Sequence, residues 1–298
     1  MKKILLLFLC GFSWIIQGIS NLTPRAQKKN MTTSVIIPCV ARHFVWMSGI
    51  LEAYQNQTVI PNEIVLVFSE AEKINDVDIA KLEKGLWDFN LKIIKRNGVF
   101  LEGENRNVAM DNASGDILIF SDADDIPHPQ RVEIVKYIFD NYEVEHIIHA
   151  LTFKRNELQS IDINNIGPLR FSALRDVWNY SSKSQLPLTF GSPCFLKEVG
   201  ARVKWHAKED VAFNSKVYGI FKNRIVVPEK LILYRHHLSS HSRSAITDRL
   251  KNRCKYLQTI GVGSLDISDE FVAEYISEDS MYSQEALKEL LEKYEIIL

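Results

Sequence analysis

The sequence contains few cysteines. Cys10, Cys39, Cys194 and Cys254 are the four in 298 residues, and none of them forms a CxxC pair. This dispersion gives no recognisable zinc site, and Cys10 lies in an apolar leader, which leaves an odd number in the body of the chain. A disulfide framework is therefore not expected, and buried free thiols are.

An excess of charge of one sign is also lacking. The chain has 36 Lys plus Arg and 37 Asp plus Glu, for a formal net charge of -1. Without a basic field over the whole chain, a nucleic acid is not expected as a partner, and any phosphate chemistry must be local. Hydrophobic residues make up 46% of the sequence, which supports a sizeable core in one large or two small domains.

One long apolar run is present, at residues 4–16, where it follows two lysines and precedes small residues. It is shorter than the about 20 residues of a spanning helix, and the pattern predicts a cleaved signal peptide over residues 1–20. An uncleaved membrane anchor is the alternative, with residues 21–31 as a polar stem. We expect export into the secretory pathway or association with a membrane, and the cytosolic face of a membrane stays open.

The first half of the chain alternates between strand-like and helix-like segments. Strands are predicted at 34–38, 63–68, 91–94 and 117–120, and helices at 44–55, 79–89 and 106–113. Such alternation predicts an α/β, doubly wound parallel sheet. The second half is less regular, and the pattern predicts strands at 145–153, 188–190, 195–196 and 224–233, then a linker at 261–264 and two helices at 268–275 and 283–294.

An apolar strand at residues 117–120 leads directly into three acids, Asp122, Asp124 and Asp125. Open α/β sheets bind their ligands at the carboxyl ends of strands. Carboxylates this close raise one another's pKa unless a cation or several hydrogen bonds offset the repulsion. Hard carboxylate oxygens suit Mg²⁺ or Mn²⁺, which are typically shared with substrate phosphates. The alternative is an Asp-rich turn or helix cap.

Five pieces of the sequence between residues 32 and 242 form an ordered set. They are the strand at 34–38, the Asn-Arg-Asn helix with its Gly-Asp turn at 105–116, the DxD-like Asp-Ala-Asp-Asp at 122–125, the Glu-Asp pair at 209–210 and Tyr-Arg-His-His at 234–237. Each piece alone is a weak signal, but in their joint order and spacing they resemble the family 2 glycosyltransferases.

The resemblance implies an α/β fold of the GT-A type, a Rossmann-like α/β/α sandwich with a mixed, mostly parallel central sheet, over residues 32–260. Residues 261–298 are then a C-terminal helical extension. It also implies glycan biosynthesis by an inverting, metal-dependent enzyme. The enzyme would move a hexosyl or hexosaminyl group from a nucleoside diphosphate sugar, expected to be a UDP-sugar, to a hydroxyl of a saccharide, glycolipid or glycoprotein.

The same resemblance assigns roles to the acids. Asp124 is expected to bind Mn²⁺ or Mg²⁺, which stabilises the leaving diphosphate, and Asp122 to contact the ribose or reach the metal through water. Asp210 is expected to be the general base, with Glu209 orienting the acceptor. The alternative is that this pair is only the charged first turn of a helix. His237 is a further candidate for the metal or the diphosphate, unless its cluster is a mobile basic loop.

Contacts to the nucleotide-sugar are expected from six residues: Pro38, Ser69, Arg106, Ala123, Gly191 and Ser192. The guanidinium of Arg106 suits a base or a diphosphate, although a surface ion pair is the alternative. Glycine at 191 permits close approach of the sugar, unless residues 191–193 form a tight turn between two strands. The family's Asp-Asp-Gly-Ser turn is replaced here by Phe-Ser-Glu-Ala at 68–71, so Ser69 or Glu70 would have to read the base.

Aromatic residues complete the expected acceptor site. Trp205 and His206 directly precede the Glu-Asp pair and are expected to stack on an acceptor ring, whereas Trp46, Trp87 and Trp178 are expected in the core.

Two other functions are compatible with parts of the sequence. A sugar-nucleotide pyrophosphorylase would share the α/β half and the metal acids, but it needs a Gly-rich basic loop after its first strand, and residues 38–44 have none. A catalytically degenerate carbohydrate-binding protein of this fold would be expected to lack Asp124 or Asp210, and both are present.

Overall fold

The computed structural model describes residues 22–206 and 210–235. The expected leader, Glu209, His237 and the C-terminal helices lie outside these residues. The described residues up to Tyr234 belong to one compact unit. Among them, no helix combines the length and the apolar character needed to cross a bilayer.

The described residues contain nine strands and seven α-helices. The strands are β1 (Thr33–Val40), β2 (Glu63–Ser69), β3 (Asn90–Lys95), β4 (Ile117–Phe120), β5 (Ile126–Pro127), β6 (His146–Thr152), β7 (Leu169–Arg170), β8 (Leu188–Leu196) and β9 (Arg224–Leu233). The helices are α1 (Met47–Gln55), α2 (Asp76–Glu83), α3 (Glu102–Asn112), α4 (Arg131–Asn141), α5 (Leu174–Ser184), α6 (Lys197–Arg202) and α7 (Asp210–Ile220).

All nine strands join one mixed sheet in the order β3-β2-β1-β4-β8-β6-β9-β5, with β7 on β9. Strands β3, β2, β1 and β4 are parallel, β8 runs antiparallel to both β4 and β6, and β6 is parallel to β9. This arrangement confirms the predicted α/β class with a GT-A type mixed sheet.

Residues of the central strands alternate between two core layers. In β1, Val35 and Ile37 pack on one face with α1 and α4, whereas Ile36 packs on the other face with α3 and α7. Both β1 and β2 are buried almost throughout. Apolar residues at every position of a strand are what a parallel sheet covered on both faces requires.

The predicted strands of the first half end within two residues of the observed ones, but the predicted helices and one later strand differ. Helix α2 ends at Glu83, whereas the prediction ended at 89, and α3 begins at Glu102, whereas the prediction began at 106. The predicted helix at 44–55 is a 3₁₀ turn at Ala41–Trp46 followed by α1. The two short strands predicted around residues 191–193 are one strand, β8, whose pairing with β6 is irregular between Ile147 and His149. That irregularity allows the chain to continue through Pro193, which has no N–H to donate.

A polar network fixes the amino-terminal edge of the parallel strands. The buried carboxylate of Glu63 accepts hydrogen bonds from the Ser34 hydroxyl at 2.5 Å and from the Ser114 N–H at 2.8 Å. The Gly115 N–H donates to the Ser34 oxygen at 2.8 Å. A β-carbon at residue 115 would lie 2.7 Å from the Ser34 nitrogen, so only glycine fits. This contact sets where β4, and the acids after it, lie beside β1.

The cysteine prediction is confirmed where it can be checked. Cys39 and Cys194 are free and buried, and burial raises the pKa of both thiols. Cys10 and Cys254 lie outside the described residues.

Strand β6 carries two fully buried histidines, His146 and His149. Burial, with a contribution from the Arg224 charge, lowers the pKa of His146 to about 3, and burial together with the Arg131 charge lowers the pKa of His149. Both imidazoles are therefore neutral in the folded protein, whereas the unfolded chain takes up protons below about pH 6.5. The stability that they contribute is complete above that pH and is lost as the pH falls toward their folded pKa.

We predict that replacing His146 by Gln reduces the acid sensitivity of the fold. Between about pH 7 and about pH 5 the free energy of unfolding should fall about 1 to 2 kcal/mol less in His146→Gln than in the native protein, because one histidine no longer titrates. Urea unfolding at the two pH values measures this difference independently of any overall loss of stability. Equal losses in the two proteins would show that His146 is not neutral when folded.

Candidate active site

The carboxyl end of β4 lies beside β8 at the centre of the sheet. The antiparallel pairing sets Ile119 opposite Cys194, and extending the same register places Asp122 beside Gly191. This is the point where the parallel half of the sheet meets its antiparallel neighbour. The strand order reverses one strand away, between β1 and β4, and clefts in open α/β sheets form outside the carboxyl ends of the strands at such a reversal.

The guanidinium of Arg106, on α3, is the centre of an ionic cluster. It donates from Nη1 to Asp210 Oδ1 at 2.7 Å and from Nη2 to Asp122 Oδ1 at 2.9 Å. Its Nη2 also pairs with Glu102 Oε1 at 2.5 Å, one turn earlier on the same helix. The Arg106 side chain is 4% exposed. One buried cation therefore connects three carboxylates from α3, the segment after β4 and the start of α7.

Trp205 lies against the Arg106 guanidinium, whose carbon is 4.3 Å from the centre of the indole ring. The indole stacks on Phe213 of α7, with ring centroids 4.0 Å apart and planes 2° from parallel. Trp205 is 4% exposed, so the prediction that it stacks on an acceptor is wrong. It supports Arg106 by a cation–π contact instead.

Gly191 and Ser192 line the same cluster. A β-carbon on Gly191 would lie 3.0 Å from Asp210 Oδ2, 3.2 Å from Arg106 Nη2 and 3.5 Å from Asp122 Oδ2. The Ser192 hydroxyl donates to Asp122 Oδ2 at 3.3 Å. Asp122 is thus held by Arg106 on one oxygen and by Ser192 on the other, and glycine keeps the space beside the acids clear of a side chain.

The charges in the cluster shift one another's pKa. Burial opposes ionisation of Arg106, but the carboxylates of Glu102, Asp210 and Asp122 outweigh it and raise its pKa above the usual value. Burial raises the pKa of Asp210, with Asp122 adding to the rise and Arg106 opposing it. The Asp210 side chain remains 40% exposed, so solvent screens part of this effect.

The pKa of Glu102 is also raised. The Arg106 charge lowers its pKa, but burial and the carboxylates of Asp122, Asp210 and Asp124 raise the pKa of Glu102 to about 7. Its side chain is 48% exposed, and solvent moderates the repulsion. The four acids lie close enough to share a field that favours binding of a further cation.

The charge of Asp124 adds to the effect of burial in raising the pKa of Cys39, near the carboxyl end of β1. Ala123 is buried in the core between the two acids of the DxD-like segment. Asp125 is also buried, at 1% exposure, and its N–H donates to the Asp122 carbonyl at 3.4 Å in a tight turn.

A second buried guanidinium, Arg131 of α4, supports the site from behind. It is 0% exposed. It donates to the carbonyl oxygens of Phe120 at 2.5 Å and Ser192 at 3.2 Å, and to the Tyr54 hydroxyl at 2.9 Å. Arg131 therefore ties the end of β4 to the middle of β8, and its positive charge acts on Asp122 from the side opposite Arg106.

Two further residues predicted to contact the nucleotide, Pro38 and Ser69, lie in the carboxyl-terminal parts of β1 and β2. Pro38 is buried within β1 and pairs with Val67 of β2. Ser69 ends β2, where its hydroxyl accepts a hydrogen bond from the Asn105 amide at 2.8 Å. Ser69 is 1% exposed, so it anchors the start of α3 to the sheet.

The structure therefore brings together Arg106, Asp122, Gly191, Ser192 and Asp210 from the predicted set. Glu102 and Arg131 were missed. A usable signal existed for Glu102, because it precedes Arg106 by four residues, the spacing of a helical ion pair. The sequence predicts a helix starting only at 106, whereas α3 begins at 102. For Arg131 we see no sequence signal.

The fold and the acids at the carboxyl ends of its strands define an α/β protein of the GT-A type. Residues 34–181 match the model of the family described as glycosyl transferase family 2. The chain belongs to this family and is a glycosyltransferase. No curated protein sequence matches the chain.

Two solved structures show the similarity in fold. Residues 1–349 of TarS from S. aureus, in complex with UDP-GlcNAc, superpose with a TM-score of 0.57 and 16% identity, covering 86% of this chain and 74% of that one. Glucosyl-3-phosphoglycerate synthase from Mycobacterium tuberculosis, with Mn²⁺, UDP and glucosyl-3-phosphoglycerate, gives 0.51 and 15%, covering 76% and 81%. At these identities the likeness shows the fold.

We predict that Arg106 and Asp210 are energetically coupled in the absence of any ligand. Removing the cation in Arg106→Met should lower the free energy of unfolding by about 2 kcal/mol, because buried acids lose their partner. In that background Asp210→Asn should be less destabilising than in the native protein by about 0.5 to 1.5 kcal/mol, a value limited by the exposure of Asp210.

Urea unfolding of the four proteins measures this cycle. Asp111→Asn is the matched control, because Asp111 lies on α3 but pairs with Lys204. Its cycle with Arg106→Met should be additive. Additive changes for Asp210 as well would mean that the ion pair does not contribute to stability.

Proposed function

We propose that this family 2 enzyme is an inverting, metal-dependent glycosyltransferase whose donor is a UDP-sugar. The acceptor would be a hydroxyl of a saccharide, glycolipid or glycoprotein. The observation that carries the proposal is the convergence of Asp122, Asp210 and Gly191, from three separate parts of the chain, around the single cation of Arg106.

The residues present fit a divalent cation of the Mg²⁺ or Mn²⁺ type. In the described part of the chain no three His, Cys, Asp or Glu side chains are grouped closely enough to hold a metal by themselves. These ions do not need such a group, because they usually bind one or two carboxylates and complete their shell with water and substrate phosphates. We assign Asp124 as the metal ligand, with Asp122 reaching the ion directly or through water. The bound ion would act as a Lewis acid on the leaving diphosphate.

The donor assignment has two supports. TarS and glucosyl-3-phosphoglycerate synthase have been solved with UDP-GlcNAc and UDP, respectively. In this chain Arg106 presents a guanidinium beside the acids, where a diphosphate can compete for its N–H groups. Ser69 is a weaker candidate for contact with the base, because the Asn105 amide already occupies its hydroxyl.

Asp210 is our candidate for the general base. It pairs with one nitrogen of the Arg106 guanidinium while Asp122 pairs with the other, so in this proposal the diphosphate would bind near Asp122 and the acceptor hydroxyl near Asp210. Burial raises its pKa, which strengthens it as a proton acceptor. Gly191 leaves room next to Asp210 Oδ2 for the reacting sugar. Asp210 would take the proton of the acceptor hydroxyl as that oxygen attacks the anomeric carbon.

Further parts of the proposal concern segments outside the described residues. Glu209 would orient the acceptor and His237 would contact the diphosphate or the metal. Residues 1–20 would direct the enzyme into the secretory pathway or hold it at a membrane. The apolar run at 4–16 supports the last point.

We predict that nucleotide binding requires both a divalent cation and Asp124. Calorimetric titration with UDP, GDP and CDP should show binding of UDP in the presence of Mn²⁺ and none with EDTA. In Asp124→Asn the UDP affinity should fall about 100-fold or more, because a direct metal ligand is lost.

The control for this titration is Asp111→Asn, which removes one carboxylate on the far part of α3 and should bind UDP as the native protein does. If no nucleotide bound under any condition, the protein would be a degenerate, carbohydrate-binding member of its family. Equal binding with Mn²⁺ and with EDTA would contradict the metal assignment alone.

We predict that Asp210→Asn separates binding from catalysis. The variant should bind UDP with Mn²⁺ as tightly as the native protein, because Asp210 touches neither metal nor nucleotide in this proposal. Its turnover of the UDP-sugar, measured as UDP released, should fall by about 10²-fold or more, the usual contribution of a general base. Turnover at the native rate would show that another group takes the proton.

A further inference from the structure

Trp178 departs from the expectation that it lies in the core. The indole is 41% exposed on the outer surface of α5. It stacks on Phe190 of β8, with ring centroids 4.3 Å apart and planes 7° from parallel. Because Phe190 covers one face of the indole, the exposed area belongs to the other face and the ring edges. The stacking on Phe190 orients the indole, so that its exposed part is available to a ligand.

This stacked pair adjoins the candidate active site. Phe190 directly precedes Gly191, whose missing side chain faces Asp210. The Asn214 amide donates to the Phe190 carbonyl at 2.9 Å and to the Asp210 carbonyl at 2.7 Å. One side chain therefore joins the backbone under the aromatic pair to the backbone of the proposed base, and helices α5 and α7 pack against each other at this place.

The surroundings of Trp178 are polar. Arg175, one turn before it on α5, is exposed, and so is Ser182, one turn after it. A membrane or an apolar protein partner would require a continuous apolar patch. A flat aromatic ring with hydrogen-bonding groups on either side matches a sugar instead, since a pyranose offers an apolar face of C–H groups and hydroxyls at its rim.

We propose that Trp178, supported by Phe190, is the stacking platform for the acceptor, and that the acceptor is a saccharide. The inference rests on the proposed function, because it places the acceptor on a ring pair whose Phe190 carbonyl is joined through Asn214 to the backbone of the proposed base, Asp210. Within the proposed acceptor classes, saccharide, glycolipid and glycoprotein, it specifies an acceptor whose sugar ring is bound through its C–H face.

The test uses the full chain labelled with 5-fluorotryptophan. The chain has five tryptophans, each of which gives a fluorine NMR signal. The Trp178 signal is identified by its loss in Trp178→Phe. A panel of methyl glycosides of glucose, galactose, N-acetylglucosamine and mannose is then added in the presence of UDP and Mn²⁺. At least one glycoside should shift the Trp178 signal, and Trp178→Ala should weaken the binding of that glycoside about tenfold, as expected for one lost stacking contact.

Three controls give each outcome a meaning. The midpoint of thermal unfolding should fall only modestly in Trp178→Ala, because the variant loses the stacking contact with Phe190 but the side chain is partly exposed. Trp87→Phe, which replaces a tryptophan packed beside Phe89, should bind the glycoside as the native protein does. UDP binding with Mn²⁺ should be unchanged in Trp178→Ala, and a failure of UDP binding in the native protein would count against the proposed function instead.

The proposal is overturned if no glycoside of the panel moves the Trp178 signal, or if Trp178→Ala binds the glycoside as tightly as the native protein. A shift caused by phosphatidylglycerol vesicles but by no glycoside would also overturn it, because it would make Trp178 a membrane contact.

Discussion

The candidate site depends on the buried charge of Arg106. Asp122, Asp210 and Glu102 come from three parts of the chain, and without a cation between them their repulsion would push those parts away from one another. Arg106 in turn needs the acids, because a buried guanidinium without partners is costly. The Trp205 ring packs against the guanidinium and helps to hold it in place. The same interaction thus joins α7 to α3 and holds the acids of the candidate site together.

The topology of the sheet explains why this cluster forms where it does. Strand β8 runs antiparallel to β4, so its middle residues pass the carboxyl end of β4 at the level of Asp122. Arg131 fastens this junction from the opposite face through two carbonyl oxygens. Gly191 leaves space on the side of the acids. In the proposed function, the diphosphate would bind near Asp122 and the acceptor hydroxyl near Asp210, both at this junction of two strands.

Much of the fold could be predicted because the central strands are buried on both faces and form unbroken apolar runs. The limits of β4 and β9 agree with the prediction to the residue. The continuity of β8 could not be predicted, since Gly191 to Pro193 looks like a turn until β6 is seen to accommodate it. The prediction also placed Trp205 at the acceptor site and Trp178 in the core, and the structure shows the reverse burial for a similar reason. Trp205 is buried and Trp178 exposed because of the helices that pack near them, and a local pattern does not contain those neighbours.

The most direct test of the account is a crystal structure of the chain with a UDP-sugar and Mn²⁺. We expect the diphosphate beside Asp122 and Asp124, the sugar against Gly191, and the carboxylate of Asp210 on the face of the anomeric carbon opposite the leaving group. A nucleotide bound elsewhere on the protein, with only solvent beside the unchanged Arg106 cluster, would contradict the account.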